Sequence, residues 1–452
     1  MNHKAMALSI IAGLTAQPVW AAGFFKDSTV TLGLRNFYID QDYRDGSQKP
    51  SMAKEWGQGF ILDYVSGYTP GPVGFGIDVL GLWGLRLDSG KGTHYNPNST
   101  SFSGIVFPTD HSGRAVPSFG SILPTGKIKF SKTEILAGTL RPTLPVVHIN
   151  NGRLLTQTFS GAQITSKEID GLTLLAGRLE RAKGRTSSNG EPMSIAGSNN
   201  PQTGRFSNKF YYGGFDFALS KKLQLRYYYG NLKDFYAQHF VELLHTFDIS
   251  ENHRLKTDFR YFNSHSSGAN SHASGRADGY KSNGYWKATD RHRYEVDNRV
   301  ISAFLTYLTG GHSLGAGFQR LSGKSDFPTL NNGDGYTTYL MTDYQPGQFS
   351  EYNKFLYAGE QTWRVDYSYD FAALGIPGLK AIVIYQSGDH VKAAGHGQSE
   401  WERDERISYT VQSGALKNLG VSYWHATYRT NVRTSRSIDE DRVYVTYSLP
   451  LL

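Results

Sequence analysis

The stretch Trp363-Arg364-Val365-Asp366-Tyr367-Ser368-Tyr369-Asp370-Phe371 alternates without a break, every odd residue apolar or aromatic and every even one polar. A period of two belongs to a β-strand with one greasy and one wet face. Leu255-Lys256-Thr257-Asp258-Phe259-Arg260-Tyr261 repeats the pattern, as do Leu223-Gln224-Leu225-Arg226-Tyr227 and Arg442-Val443-Tyr444-Val445-Thr446-Tyr447. Read outward from these, strands are expected at 28–39, 56–66, 73–88, 126–131, 133–140, 153–165, 167–180, 208–219, 221–231, 238–248, 253–264, 296–309, 311–321, 361–371, 379–386, 403–412, 418–428 and 440–449, eighteen in all.

A soluble sandwich also alternates, because its apolar faces meet in a core. The links separate the two architectures. After odd-numbered strands they are mostly long and polar (89–125, 181–207, 265–295, 322–360), and after even-numbered ones they are tight, as at Ser220-Lys221 and Gly310-Gly311. A sandwich has no reason to keep its long loops at one end, whereas a membrane-spanning barrel has short periplasmic turns and long extracellular loops. The reading is therefore all-β: a transmembrane antiparallel β-barrel of 18 strands, surrounded by outer-membrane lipid. In lipid only a closed barrel pairs every strand's backbone groups. Tyr64, Tyr68, Tyr211 and Tyr212 at strand ends are expected in the interfacial girdles.

Composition agrees. The chain has 452 residues with 61 aromatics (25 Phe, 29 Tyr, 7 Trp), 50 Gly, 19% charged residues and no Cys. This is neither disordered nor coiled-coil composition, and it excludes disulfides, thiolate metal sites and cysteine nucleophiles. Mean hydropathy is −0.44, as expected where half of each strand faces water. The net charge of +8 lacks the basic cluster interleaved with aromatics that nucleic acid requires, so no nucleic-acid partner is expected. Residues 1–21 read as a cleaved signal peptide: a short n-region with Lys4, an apolar stretch from Ala5 to Val19, and small residues at Ala21. Its removal leaves 46 basic and 39 acidic residues, a net +7, and 22–452 form a single outer-membrane barrel domain.

Several runs are similar to a known family: Leu34-Arg35-Asn36-Phe37-Tyr38, Trp56-Gly57-Gln58-Gly59-Phe60, Ser66 to Gly76, Arg141-Pro142-Thr143-Leu144-Pro145-Val146, Gly375-Ile376-Pro377-Gly378-Leu379 and Tyr409-Thr410-Val411-Gln412-Ser413-Gly414. Together they resemble the OprD-type (Occ) substrate-specific outer-membrane porins. The resemblance implies an eighteen-stranded barrel whose third and seventh outer loops, here near 141–152 and 322–360, fold inward as a narrow eyelet. Arg153 would sit at the constriction rim. Loop 322–360 carries Asp326, Asp334 and Asp343 as eyelet acids, with turn capping as their alternative role.

Strand parity places Arg35, Arg86, Arg226, Lys256, Arg260, Arg364, Arg406 and Arg442 on the wet face with Asp78, Asp258, Asp366 and Asp370. Such a wall either sorts solutes by charge or pairs with itself for rigidity. Family members carry a ladder of basic residues on strands fourteen to seventeen; here the matching positions hold Asp366, Ile384, Ser408, Ser422 and Trp424, none of them basic. Trp424 and Tyr444 suit a ring-bearing solute. The expected function is passive, substrate-selective uptake of small carboxylate-bearing solutes, aromatic acids included, and replacing Arg35 and Arg364 with Ala is expected to weaken anion preference.

The rival classes are an outer-membrane barrel enzyme and a loop-mediated adhesin or receptor. The sequence has no Gly-x-Ser-x-Gly, no His-Glu-x-x-His and no phosphate-binding loop, so no catalytic residue, cofactor or metal is called for. Eighteen strands form monomers or a homotrimer, and a trimer seam is expected to look like any apolar outer patch.

Overall fold

The computed structural model describes residues 22–44, 51–90, 93–94, 104–196, 198, 204–331, 338–342, 354–393, 397–432 and 435–452. The expected leader 1–21, Asp334 and Asp343 lie outside them. The wall consists of β1 (Thr29–Tyr43), β2 (Met52–Val65), β3 (Val73–Ser89), β4 (Ser118–Phe130), β5 (Thr133–Leu140), β6 (Thr158–Ser166), β7 (Leu172–Lys183), β8 (Phe210–Ser220), β9 (Leu223–Leu232), β10 (Tyr236–Ser250), β11 (His253–Ser266), β12 (Asp297–Thr309), β13 (His312–Gly323), β14 (Gln361–Asp370), β15 (Leu379–Asp389), β16 (Glu400–Thr410), β17 (Gly420–Thr430) and β18 (Ile438–Pro450). One sheet of nineteen strands contains all of these, its extra member being the two-residue Gly190–Glu191 beside the outer end of β7.

Each strand pairs antiparallel with its sequence neighbour, and β18 returns to β1 in a register running from Thr31↔Pro450 to Tyr43↔Ile438. Closure leaves no unpaired edge, the condition for crossing hydrocarbon with strands. No helix among the described residues is long and apolar enough to cross a membrane. Inner turns are short, from 131–132 and 221–222 to 411–419. Most outer links are longer, as at 90–117, 184–209, 267–296 and 324–360, whereas 44–51 and 431–437 are short and β9 and β10 are joined by the tight turn 233–235.

All eighteen expected strands occur, in order, with several ends shifted, the start of β4 by eight residues and those of β6 and β7 by five each. β4 begins at Ser118 rather than 126, so part of the expected loop 89–125 is wall. Its Gly120 and Pro124 read as loop, yet Pro124 sits at an outward position opposite Val79. Residues 153–157 belong to the third outer loop, because β6 starts only at Thr158.

Burial is inverted relative to a soluble protein. Phe75, Trp83, Ile122, Leu305, Phe318 and Trp363 are exposed on the outer face. The packed core lies inside the barrel, where infolded loops meet the wall. One cluster joins Val146, Val147 and Leu340 to Tyr212, Tyr228, Phe240 and Phe262; a second joins Phe107 and Leu154 to Phe37, Ile39 and Leu82. Tyr212, expected in the girdle, instead turns inward and is buried, whereas its neighbour Tyr211 faces out.

Candidate functional site: the lumen and its constriction

Three loops narrow the lumen, and glycines make room for them. On the lumen faces of β2 and β3, a Cβ at Gly57 would lie 2.8 Å from Leu154 Cδ2 and 2.7 Å from Phe107 Cζ, and one at Gly84 would lie 3.2 Å from Leu154. The Trp56-Gly57-Gln58-Gly59 run is thus a floor on which the third outer loop (141–157) and the second (90–117) rest. On β13, Gly317 does the same for the seventh (324–360): a Cβ there would stand 2.7 Å from Met341 Sδ and run into the Phe304 ring.

Above the glycine floor, arginines hold the third loop. Arg35 Nη1 donates to the Arg153 carbonyl at 2.6 Å and to Asn151 O at 3.3 Å and Oδ1 at 3.2 Å. Arg442 Nη1 and the Tyr444 hydroxyl both donate to Gly152 O, at 3.3 and 2.9 Å. Arg442 is itself oriented by Glu440 at 2.6 Å. Arg153, expected at the rim, has its side chain buried in the loop.

The seventh loop is held the same way. Arg226 Nη1 donates to the Tyr339 hydroxyl at 2.6 Å, Arg260 Nη1 to the Tyr339 carbonyl at 2.7 Å, and Arg364 Nη1 to the Met341 carbonyl at 3.1 Å. The guanidiniums of Arg226 and Arg260 also lie over the Tyr339 ring, 5.4 and 4.5 Å from its centre. Wall carboxylates aim these arginines: Asp216 and Glu242 pair with Arg226 (2.6 and 2.9 Å), Glu242 and Asp258 with Arg260, and Asp366 with Arg364 (3.1 Å). Buried charges paired and hydrogen-bonded like this are costly to break from one side.

Behind the seventh loop stands an acidic wall that the sequence reading missed. Glu400, Glu402 and Asp404 alternate along the lumen face of β16 and are buried with Glu360. Lys354 of the seventh loop lies 3.4 Å from Glu402 and 4.2 Å above the Tyr428 ring. Burial alone opposes the charge of Lys354, but Glu402, Glu440, Asp404 and Glu400 overcome it and hold its pKa above the ordinary lysine value. The signal was present, since Glu400-Trp401-Glu402-Arg403-Asp404 alternates; placing the strand start at 403 hid it.

Two lumen cations stand apart. Arg406 and Lys256 make no hydrogen bond or ion pair among the described residues. The Arg406 guanidinium lies over the Trp424 indole, 4.4 Å from its centre. The indole N–H donates to Ser422 at 3.1 Å, and the Tyr444 ring packs beside the indole, tilted by 49° with ring centres 5.1 Å apart. Arg406 pairs in register with Trp424, and Ser408 with Ser422, so the four share one patch of β16 and β17. Arg406, Ser408, Lys256, Asp258, Arg364 and Asp366 open onto an inner vestibule of about 1220 Å³.

The remaining expected residues are structural in position. Arg86 is exposed at the outer end of β3 and donates to the Ala115 carbonyl of the second loop. Asp78 pairs with buried Lys127 at 2.7 Å, and Asp370 with Lys380 at 2.9 Å. Asp326 accepts the Ala358 N–H at 2.9 Å within the seventh loop. Burial pushes its carboxyl up to about 6, and its contact is with loop backbone. Ile384 is fully buried on the lumen face of β15.

These features have close counterparts. The family model described as outer membrane porin, OprD family, matches residues 22–451. The porin-like protein GalP of Pseudomonas putida is 32% identical over 445 residues, 98% of this chain and 97% of that one. Among solved structures, OccK8 (OprE) of Pseudomonas aeruginosa is 49% identical with a TM-score of 0.85, covering 95% of this chain and 100% of that one. OpdK of the same organism, solved with vanillate, is 32% identical with a TM-score of 0.80 over the same shares. An eighteen-stranded closed wall, a lumen narrowed by its own outer loops and a match along the whole barrel lead to one conclusion: this chain belongs to the OprD family, a selective porin of the bacterial outer membrane and not an enzyme.

Proposed function

We propose that the solutes it selects are small carboxylates, aromatic acids among them. The observation that carries this reading is Arg406, which among the described residues makes no hydrogen bond or ion pair and lies over the Trp424 ring on the vestibule wall. A guanidinium fork offers a carboxylate paired charge-assisted hydrogen bonds, and the neighbouring indole and phenol offer a ring a stacking face. Ser408 and Ser422 add hydroxyls beside them, and Lys256 supplies a second unpaired cation across the vestibule. The related OpdK was solved with vanillate, an aromatic carboxylate.

The test is a planar bilayer under a salt gradient, titrated with benzoate. Benzoate should block discrete conductance steps, and Arg406→Ala should weaken that block by about 10- to 150-fold, the equivalent of about 1.5–3 kcal/mol for hydrogen bonds to a charged group. Trp424→Ala should weaken benzoate more than acetate. Equal benzoate block in wild type and Arg406→Ala would overturn the assignment.

A further inference from the structure

The acidic wall behind the seventh loop carries more charge than the groups around it answer. Glu360, Glu400, Glu402 and Asp404 are each 1% exposed or less, and the cation seated against them is Lys354. The nearby arginines are engaged elsewhere: Arg442 with Glu440 at 2.6 Å, and Arg364 with Asp366 and the Met341 carbonyl, both at 3.1 Å. The carboxylates also crowd one another. Glu402 and Asp404 follow each other on the lumen face of β16, about 7 Å apart along the strand, with side chains near enough to repel, and Glu360 stands against Glu400 in the same way. Gly388 makes room for this, since a Cβ there would run into Glu360 Oε1.

Neutral groups face the same place. Gln386 on β15 stands in register between Arg364 on β14 and Glu402 on β16, and Thr362 lies one row nearer the outer rim. Side chains opposite each other on one face of a sheet start about 5 Å apart, so these groups are neighbours. Both Gln386 and Thr362 are fully buried, and among the described residues neither the Gln386 amide nor the Thr362 hydroxyl has a hydrogen-bond partner. The same holds for both Asp404 oxygens and for Glu402 Oε1. Leaving such groups buried and unpaired costs about 1–3 kcal/mol each, and more for a charge. A proton shared by two carboxyls satisfies one oxygen of each and does nothing for the amide or the hydroxyl. A small cation draws on all of these oxygens together.

We propose that Glu402 and Asp404, with the Gln386 carbonyl and the Thr362 hydroxyl, hold a divalent cation of the calcium type behind the seventh loop. Among the described residues no three carboxylates, imidazoles or thiolates converge as a metal cluster, and the donors here are oxygens alone, two charged and two neutral. Such a set suits a hard cation rather than a transition metal. Calcium accepts about six to eight oxygens in flexible geometry, whereas magnesium demands a near-ideal octahedron that side chains on strands of fixed spacing do not build. Lys354 keeps to Glu402 Oε2 at 3.4 Å and leaves Oε1 for the ion. No sequence motif marks the site, because its donors come from three strands. The bound ion relieves the repulsion between the wall and Glu360 at the base of the seventh loop, and so ties the seating of that loop to calcium in the medium.

The test uses the full chain in lipopolysaccharide-free detergent micelles, stripped with a chelator and titrated at pH 7 with CaCl2 by calorimetry, beside MgCl2 and NaCl at matched ionic strength. Wild type should take up one Ca2+ per chain with a dissociation constant at or below about 1 mM, the range of extracellular calcium modules. Its thermal unfolding should move up with CaCl2 and not with NaCl. Asp404→Asn should abolish the uptake. Gln386→Met keeps the size of the side chain and changes no charge, and it should weaken uptake by at least about 10-fold through the loss of one neutral oxygen. Glu251→Gln, on an exposed inner turn, should leave uptake unchanged. Heat-dependent gel migration verifies that each variant folds, and Gln386→Met carries the test if Asp404→Asn does not. Wild type without saturable Ca2+ uptake would overturn the proposal in favour of a protonated or hydrated cluster. Uptake retained in full by Gln386→Met and Asp404→Asn would overturn it too, by placing the calcium on surface carboxylates.

Discussion

Removing one oxygen from the seventh loop tests whether the arginines set the width of the lumen. Tyr339→Phe deletes the hydroxyl that accepts from Arg226 Nη1 at 2.6 Å. It leaves the ring beneath Arg260, the backbone bond from Arg260 to residue 339, and the pairs of Arg226 with Asp216 and Glu242, so no charge is orphaned. What is lost is one hydrogen bond from a charged donor, about 1.5–3 kcal/mol. If that bond helps hold the loop tip against the wall, the ratio of lifted to seated loop rises by about 10- to 150-fold. Single-channel recordings should then show frequent excursions to a larger conductance that wild type visits rarely. Tyr211→Phe, which changes an outward-facing hydroxyl, should leave the traces unchanged. Traces of Tyr339→Phe that match wild type in dwell times and step size would refute the clamp.

Further outcomes follow from the same geometry. Arg35→Ala and Arg364→Ala each free loop carbonyls, so both should raise conductance and its noise more than they move the reversal potential in a salt gradient. Gly317→Val drives side-chain atoms into the space of Met341 and Phe304 and should produce the same noisy conductance without touching any charge, read in the same bilayer. Asp326 has its carboxyl raised by burial from 3.8 to about 6, and Glu360 is raised as well, by burial and by the neighbouring Glu400. The seated seventh loop therefore binds protons more tightly than a released one. Its stability should grow as pH falls from about 6 toward 4 and be lost as pH rises through 6. Gating should quieten between pH 7 and pH 5 in wild type, and this pH response should shrink in Asp326→Asn.

The wall was legible because a period of two says which face each residue takes. Arg364 and Asp366 were assigned inward and Trp363 and Val365 outward from alternation alone, and the register places them so. Parity is silent on what the inward face touches. That Arg35, Arg260 and Arg364 reach loop carbonyls depends on loops with no periodicity, brought over the wall from more than twenty residues away in sequence. The run Gly120 to Pro124 was misread because Gly and Pro are loop signals in water, although an outward proline at a barrel position can be tolerated. The acidic face of β16 was lost through a boundary error of three residues, and with it the setting of Lys354.

Most clamps of the constriction end on main-chain oxygens: Arg35 on residues 151 and 153, Arg442 on 152, Arg260 on 339 and Arg364 on 341. A carbonyl is the same whatever side chain its residue bears. At these points the barrel grips its loops without reading their side chains, so positions 152, 153 and 341 can change chemistry while the bonds that seat the loops stay in place, whereas Tyr339 is also held through its hydroxyl and ring.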